Sequence, residues 1–211
     1  MQEEPGTPLS GSPAPPRPSH VTAGDPAASG HAGAPDPRRR RRLFGLLAAV
    51  AVLAYASDQG SKAIASSVLA DGIPRPLLGD VIRFRLIGNP GAALSLGAGS
   101  TWLMTVIALG VLVAIIVVSR ALGSRAWAVA LGLLLGSALG NLTDRFLRPP
   151  GRGQGRVVDF IDYRVFIGNV ADIWIVGAAG LIVALALIGI GVDGRREHRA
   201  TPSDAGEGRG A

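Results

Sequence analysis

Four stretches of the chain, 43–57, 101–119, 126–143 and 173–192, contain no charged residue. An α-helix rises about 1.5 Å per residue, so about 20 residues cross a hydrocarbon core about 30 Å thick. The second and fourth stretches have that length and the third nearly so, while the first reaches it only if its helix runs on through Asp58 to about Lys62. The pattern therefore predicts four transmembrane helices over about 43–62, 101–119, 126–143 and 172–192. Between the first two, Val81 to Ile87 alternates Ile82, Phe84 and Leu86 with Arg83 and Arg85. That period of two predicts a short strand with one apolar face, with an irregular loop as the alternative. In the third helix Gly132, Gly136 and Gly140 recur every four residues and form a smooth face suited to close helix packing.

The two ends are of another kind. Residues 1–37 hold nine of the fifteen prolines, with no apolar period, and residues 193–211 are similarly polar. Such segments bury too little surface to offset their ordering entropy, so both are expected to be disordered tails, the first reaching residue 42 through an arginine run, around a membrane domain over 43–192. Charge then sets the orientation. Arg38 to Arg42 precede the first span, Arg120 and Arg125 flank the link between the second and third, and Arg195, Arg196 and Arg199 follow the fourth. The positive-inside rule puts both ends in the cytoplasm and the segments 63–100 and 144–172 outside. A rival reading makes Leu43 to Leu53 a signal-peptide core with cleavage near Ala54-Tyr55-Ala56; the long proline-rich leader and three further spans favour an uncleaved first helix. The pI near 11 is mostly this orientation signal, so nucleic acid is not an expected partner.

Composition narrows the chemistry. Only 17% of the chain is charged, cysteine is absent, and His20, His31 and His198 all lie in the polar ends. Disulfides, thiol nucleophiles and thiolate metal sites are excluded, and no imidazole is left in the apolar body. There the ionisable acids and amines are seven aspartates (Asp58, Asp71, Asp80, Asp144, Asp159, Asp162 and Asp172) and Lys62. A carboxylate in or near hydrocarbon is expensive and is usually paired or functional. Asp58 and Lys62 are four apart on one helix face, which fits either an internal ion pair or a working site. Asn89-Pro90-Gly91-Ala92-Ala93 is a turn with small residues that lets backbone approach a ligand; Gly140-Asn141-Leu142-Thr143-Asp144-Arg145 closes the third helix with an amide and a charge pair. Asp159 stands between Val158 and Phe160, and Asp172 heads the fourth helix where the positive dipole end favours an anion. They read either as a loop aspartate and a helix cap, or as two carboxylates in unlike settings that share a proton and supply acid and base together.

These blocks, with Val158-Asp159-Phe160 and Asn169-Val170-Ala171-Asp172, resemble in order the signature blocks of bacterial lipoprotein signal peptidase, signal peptidase II. The resemblance spans about 43–192 and implies a four-helix membrane protein with both ends cytoplasmic and a small extracytoplasmic β-cradle between helices 1 and 2. It implies an aspartic endopeptidase of the inner membrane that removes signal peptides from prolipoproteins, cutting before the diacylglyceryl-modified cysteine. Its substrates would be those lipidated prolipoproteins, in contact with membrane lipids, and it would act as a monomer with no metal or cofactor. Carried over by motif, Asp159 and Asp172 would be catalytic, and Asp58, Lys62, Asn89, Gly91, Asn141, Asp144, Arg145, Asn169 and Ala171 would shape the site. Two positions depart from the family pattern: Leu94 where an aromatic is frequent, and Gly168 where Phe is frequent. Both bear on the shape of the pocket rather than on the carboxylates. A small transporter or proton relay using intramembrane aspartates is the competing reading, and it calls for charges spread through the membrane depth rather than gathered at one face.

Overall fold

The computed structural model describes residues 36–79, 81–91 and 101–196. The chain divides into two units, Met1–Ala34 and Pro35–Ala211, and the first lies outside the described residues. So do Asp80, Ala92, Ala93, Leu94 and the polar tail from residue 197, with the expectations attached to them.

Four helices are long and apolar enough to cross a membrane: α1 (Pro37–Val68), α2 (Thr101–Ser119), α3 (Arg125–Leu147) and α4 (Val170–Leu187). A four-stranded antiparallel sheet accompanies them, with β1 (Arg75–Leu78), β2 (Ile82–Asn89), β3 (Val157–Asp162) and β4 (Ile167–Gly168) in that spatial order. The strand expected at 81–87 is β2. The sheet is not confined to the segment between the first two helices, since β3 and β4 come from the connection between α3 and α4. Sequence patterning missed them because β3 is buried on both faces and does not alternate apolar with polar.

The first helix is longer at both ends than its charge-free core. Asp36 caps it, accepting a hydrogen bond from the Arg38 backbone N–H at 2.9 Å, and Pro37 occupies the first turn, where its missing N–H costs nothing. The arginine run is thus helical rather than part of a tail. At the other end the helix continues to Val68 because its inward stripe continues. Leu43, Leu47, Ala51, Ala54, Asp58, Lys62 and Ala65 are all buried, at spacings of three and four, so the two charged residues occupy core positions of an otherwise apolar stripe. That stripe packs on α3. At Gly132 an added Cβ would stand 2.7 Å from the Leu47 carbonyl oxygen, Gly136 lies against the Ala51 carbonyl and Gly140 against the Asp58 carboxylate, so the glycine face brings the two backbones together.

The fourth helix ends at Leu187, earlier than its charge-free stretch, and residues 188–196 turn back onto the α2–α3 connection. The Gly123 N–H donates to the Val192 carbonyl at 2.9 Å, the Trp127 indole donates to the Ile190 carbonyl at 2.9 Å, and Ile190 bridges to Arg196. Residues 193–196 are therefore folded, although composition assigned them to a tail.

Candidate active site

Four elements, β2, α3, β3 and α4, converge at the end of the bundle where α1 and α3 finish and α4 begins. Strand periodicity sends alternate β3 side chains to opposite sides. Val158 and Phe160 join Ala65, Leu69 and Phe84 in an apolar cluster, while Val157 and Asp159 face a pocket of about 450 Å³. The same pocket is lined by Asp172 from the first turn of α4, by Asn141 and Arg145 from the last turns of α3, and by Asn89 and Gly91 from the end of β2.

Asn169 ties the two carboxylates together. Its backbone N–H donates to Asp172 Oδ2 at 2.9 Å, and its side-chain amide donates to Asp159 Oδ1 at 2.6 Å. Its side-chain Oδ1 accepts from the Asp172 backbone N–H at 3.3 Å, so Asn169 and Asp172 form a capping box that starts α4. Capping and convergence are one arrangement: closing the helix end fixes the Asp172 carboxylate at the pocket wall. The second Asp159 oxygen accepts from Asn89 Nδ2 at 2.7 Å, and Asn89 Oδ1 accepts from the Gly91 N–H at 2.8 Å. Gly91 has φ +104°, and a Cβ there would meet Met104 at 2.7 Å, so this turn needs glycine twice over.

Asp159 is almost fully buried, and its two side-chain donors are neutral amides. Burial raises its pKa to about 6, opposed by the Asn89 and Asn169 hydrogen bonds; the nearby Asp172 charge raises it further and Lys62 lowers it. The group therefore gains and loses its proton closer to neutral pH than an ordinary carboxyl does.

The remaining motif residues form a sealed layer beneath the pocket. Lys62, with no exposed surface, contacts Asp58 Oδ2 and Asp144 Oδ2 at 2.8 Å each and donates to Asn141 Oδ1 at 2.9 Å. The other Asp58 oxygen accepts from the Ala171 backbone N–H at 3.1 Å, and Asp144 also accepts from Arg148 Nε at 2.6 Å and from the Val158 N–H at 3.2 Å. The carried-over set thus divides: Asn89, Gly91, Asn141, Arg145 and Asn169 stand at the pocket with Asp159 and Asp172, while Asp58, Lys62, Asp144 and Ala171 lock α1, α3, β3 and α4 together behind it. Asn141 Oδ1 joins the layers, accepting from Lys62 on one side and from Asn169 Nδ2 at 3.4 Å on the other.

The other two described body aspartates stay out of this assembly: Asp71 pairs with Arg75 on the exposed surface, and Asp162 pairs with Arg83. Among the described residues no group of three or more His, Cys, Asp or Glu side chains is placed to hold a metal. Met104, Phe166 and Ile167 also line the pocket without having been singled out from the sequence. Phe166 stacks on Tyr163 at 4.7 Å, and no motif in the sequence marked it. At Gly168 a Cβ would meet Asp172 Oδ2 at 2.6 Å and Phe166 at 3.4 Å, so glycine leaves room there for the carboxylate.

The family model for signal peptidase (SPase) II matches residues 50–188, which contain every side chain of this site. The chain belongs to the signal peptidase II family. It is 46% identical over 155 residues to a lipoprotein signal peptidase of Leifsonia xyli, covering 72% of each chain. With the lipoprotein signal peptidase of Mycobacterium avium it shares 46% identity over 169 residues, covering 78% of this chain and 91% of the other. A bacterial membrane enzyme solved by the in meso method at 1.9 Å resolution superposes with a TM-score of 0.58 at 27% identity, over 68% of this chain and 93% of that one. The chain is a multi-pass membrane protein, and the matched residues take in the sheet, α2, α3, α4 and most of α1.

Proposed function

We propose that the chain is an aspartic endopeptidase that removes signal peptides from prolipoproteins, cutting before the diacylglyceryl-modified cysteine, with Asp159 and Asp172 as its catalytic pair. The observation that carries this reading is the convergence of the two carboxylates on one pocket through Asn169, one of them with its pKa raised to about 6. A pair that shares one proton supplies a base and an acid at once. Ionised Asp172 takes a proton from a water held between the carboxylates, the oxygen attacks the scissile carbonyl, and protonated Asp159 donates to the carbonyl oxygen. The tetrahedral intermediate then collapses, the C–N bond breaks, and a proton passes to the leaving amine of the cysteine. Arg145 supports a role in holding the peptide: it lines the pocket, and its buried Nη1 has no hydrogen-bond partner among the described residues.

Residues 43–192 form the peptidase domain in this reading, with the polar ends dispensable for cleavage and the protein working as a monomer. Arginines before α1, around the α2–α3 link and after α4 support cytoplasmic ends, which puts the pocket at the outer face of the inner membrane and makes the sheet a cradle on that surface. The test is cleavage of a diacylglyceryl-modified prolipoprotein and of its unmodified form by the wild type, Asp159→Asn and Asp172→Asn. Cleavage of the lipidated substrate alone, lost in both variants with insertion preserved, is expected. Turnover in either variant at the wild-type rate would remove the pair from the mechanism.

A further inference from the structure

A larger cavity, of about 710 Å³, lies at the opposite end of the bundle, where α1 and α3 begin and α4 has finished. Three separate segments build it: the start of α1, the α2–α3 turn, and the folded-back chain at Ile190 and Gly194. The turn is held from both sides. Arg39 Nη2 donates to the Gly123 carbonyl at 2.5 Å, and the Gly123 N–H donates to the Val192 carbonyl at 2.9 Å. An added Cβ at Gly123 would run into the Asp193 backbone, so this contact is close-packed rather than a loose approach of two loops.

Four arginines line the cavity, Arg38, Arg39, Arg42 and Arg125, against one acidic residue, Asp36. Asp36 is occupied in capping α1 through the Arg38 N–H. Among the described residues no ion pair engages any of the four arginines. The start of α3, capped by Ser124, adds the positive end of a 23-residue helix to the same space. An orientation signal needs arginines near this end but does not need them to converge. Arg40 and Arg41 show the difference: they line a separate groove with Phe44, where Arg40 lies over the ring at 5.4 Å. Arg38, Arg39 and Arg42 instead line one cavity with Arg125, which the fold brings from far along the chain.

Arginines gathered around one cavity without carboxylate partners match an oxyanion with several acceptor oxygens, above all a phosphate. The apolar stripe of α1 starts at Leu43, which also lines the cavity, so the arginines stand at the level where hydrocarbon gives way to headgroups. We propose that this cavity seats the phosphate of an anionic phospholipid headgroup, separately from the peptidase site and independently of its mechanism.

The full chain in a neutral detergent, titrated with phosphatidylglycerol, phosphatidylcholine or inorganic phosphate, tests this by native mass spectrometry and by the shift in Tm. Phosphatidylglycerol is expected to remain bound and to raise Tm, and phosphatidylcholine to do neither. Arg42→Gln with Arg125→Gln is expected to weaken phosphatidylglycerol binding roughly thirty-fold. Arg40→Gln with Arg41→Gln removes the same charge outside the cavity and is expected to change it less than about threefold. Equal losses in the two double variants would reduce the effect to diffuse surface charge and overturn the proposal. Equal retention of both lipids by the wild type would do so without any variant, and full protection by inorganic phosphate would assign the cavity to a soluble anion instead.

Discussion

Asp58 and Asp144 lie at the same end of the bundle as Asp159 and Asp172, and the fold treats the two pairs in opposite ways. The first pair is sealed from solvent and shares Lys62, with Arg148 added on Asp144. The second pair faces a pocket and is met by Asn89, Asn169 and a backbone N–H, donors that carry no charge. Two buried carboxylates on either side of one ammonium form an ion-pair network that ties α1 to α3. A buried carboxylate given only amides is left near the point where it can gain or lose a proton, as the Asp159 value of about 6 indicates. The same residue type, in two adjoining layers of side chains, is thus a member of an ion-pair network in one place and a pocket-facing acid in the other, and the choice of partner makes the difference.

The contrast is open to direct test. Asp159→Asn should lower cleavage of a lipidated substrate by about a thousand-fold or more, the range set by loss of a positioned acid or base. The same variant should melt at an unchanged or higher temperature than the wild type at pH 8. The sign follows from the raised pKa: relative to an unfolded carboxyl at 3.8, Asp159 favours the folded state less as pH rises from about 4 to about 6, and stays at that lower level above. Removing the ionisable group flattens that part of the Tm profile against pH. A Tm at pH 8 well below the wild type would mean that Asp159 is a structural group like the first pair.

Lys62→Met should behave in the reverse manner, since it leaves two buried carboxylates without their common cation. A loss of stability of about 3–5 kcal/mol is expected. Adding Asp58→Asn should recover part of it, which a thermal-melting double-mutant cycle in detergent would measure. Gly140→Ala presses a methyl group on the Asp58 carboxylate and should cost about 1–3 kcal/mol, with folded protein retaining its cleavage chemistry.

The smallest effect probes the amides themselves. Asn169→Ser keeps a side-chain acceptor for the α4 cap but removes the donor to Asp159 Oδ1. Loss of a hydrogen bond to the charged form raises a carboxyl pKa, so the alkaline limb of the kcat/KM profile should move to higher pH by up to about one unit. A shift to lower pH would show that the amide does not act on the Asp159 proton.

Much of the frame was legible before any coordinates. Helix number followed from charge-free length, β2 from its period of two, and a close-packed face on α3 from glycines every four residues, although not that α1 is the helix packed on it. The two-layer division of the site was not legible. The four-residue spacing offered the Asp58–Lys62 pair, but nothing local says that Asp144 shares the same ammonium or that Asp159 meets Asn89 and Asn169. Met104 enters the pocket from α2 without any motif, and β3 was hidden because burial on both faces erases alternation.

The chain alone determined the number of spans, the side on which cationic residues gather and the shortage of groups able to do acid–base work. These depend on the transfer of residues between water and hydrocarbon, which composition and spacing report directly. Only the tertiary structure decided which aspartates receive cations, which receive amides, and which arginines line one cavity. Those outcomes rest on contacts of a few ångströms between residues many positions apart, such as Asn89 with Asp159 or Arg39 with Gly123, and one-dimensional spacing carries no record of them.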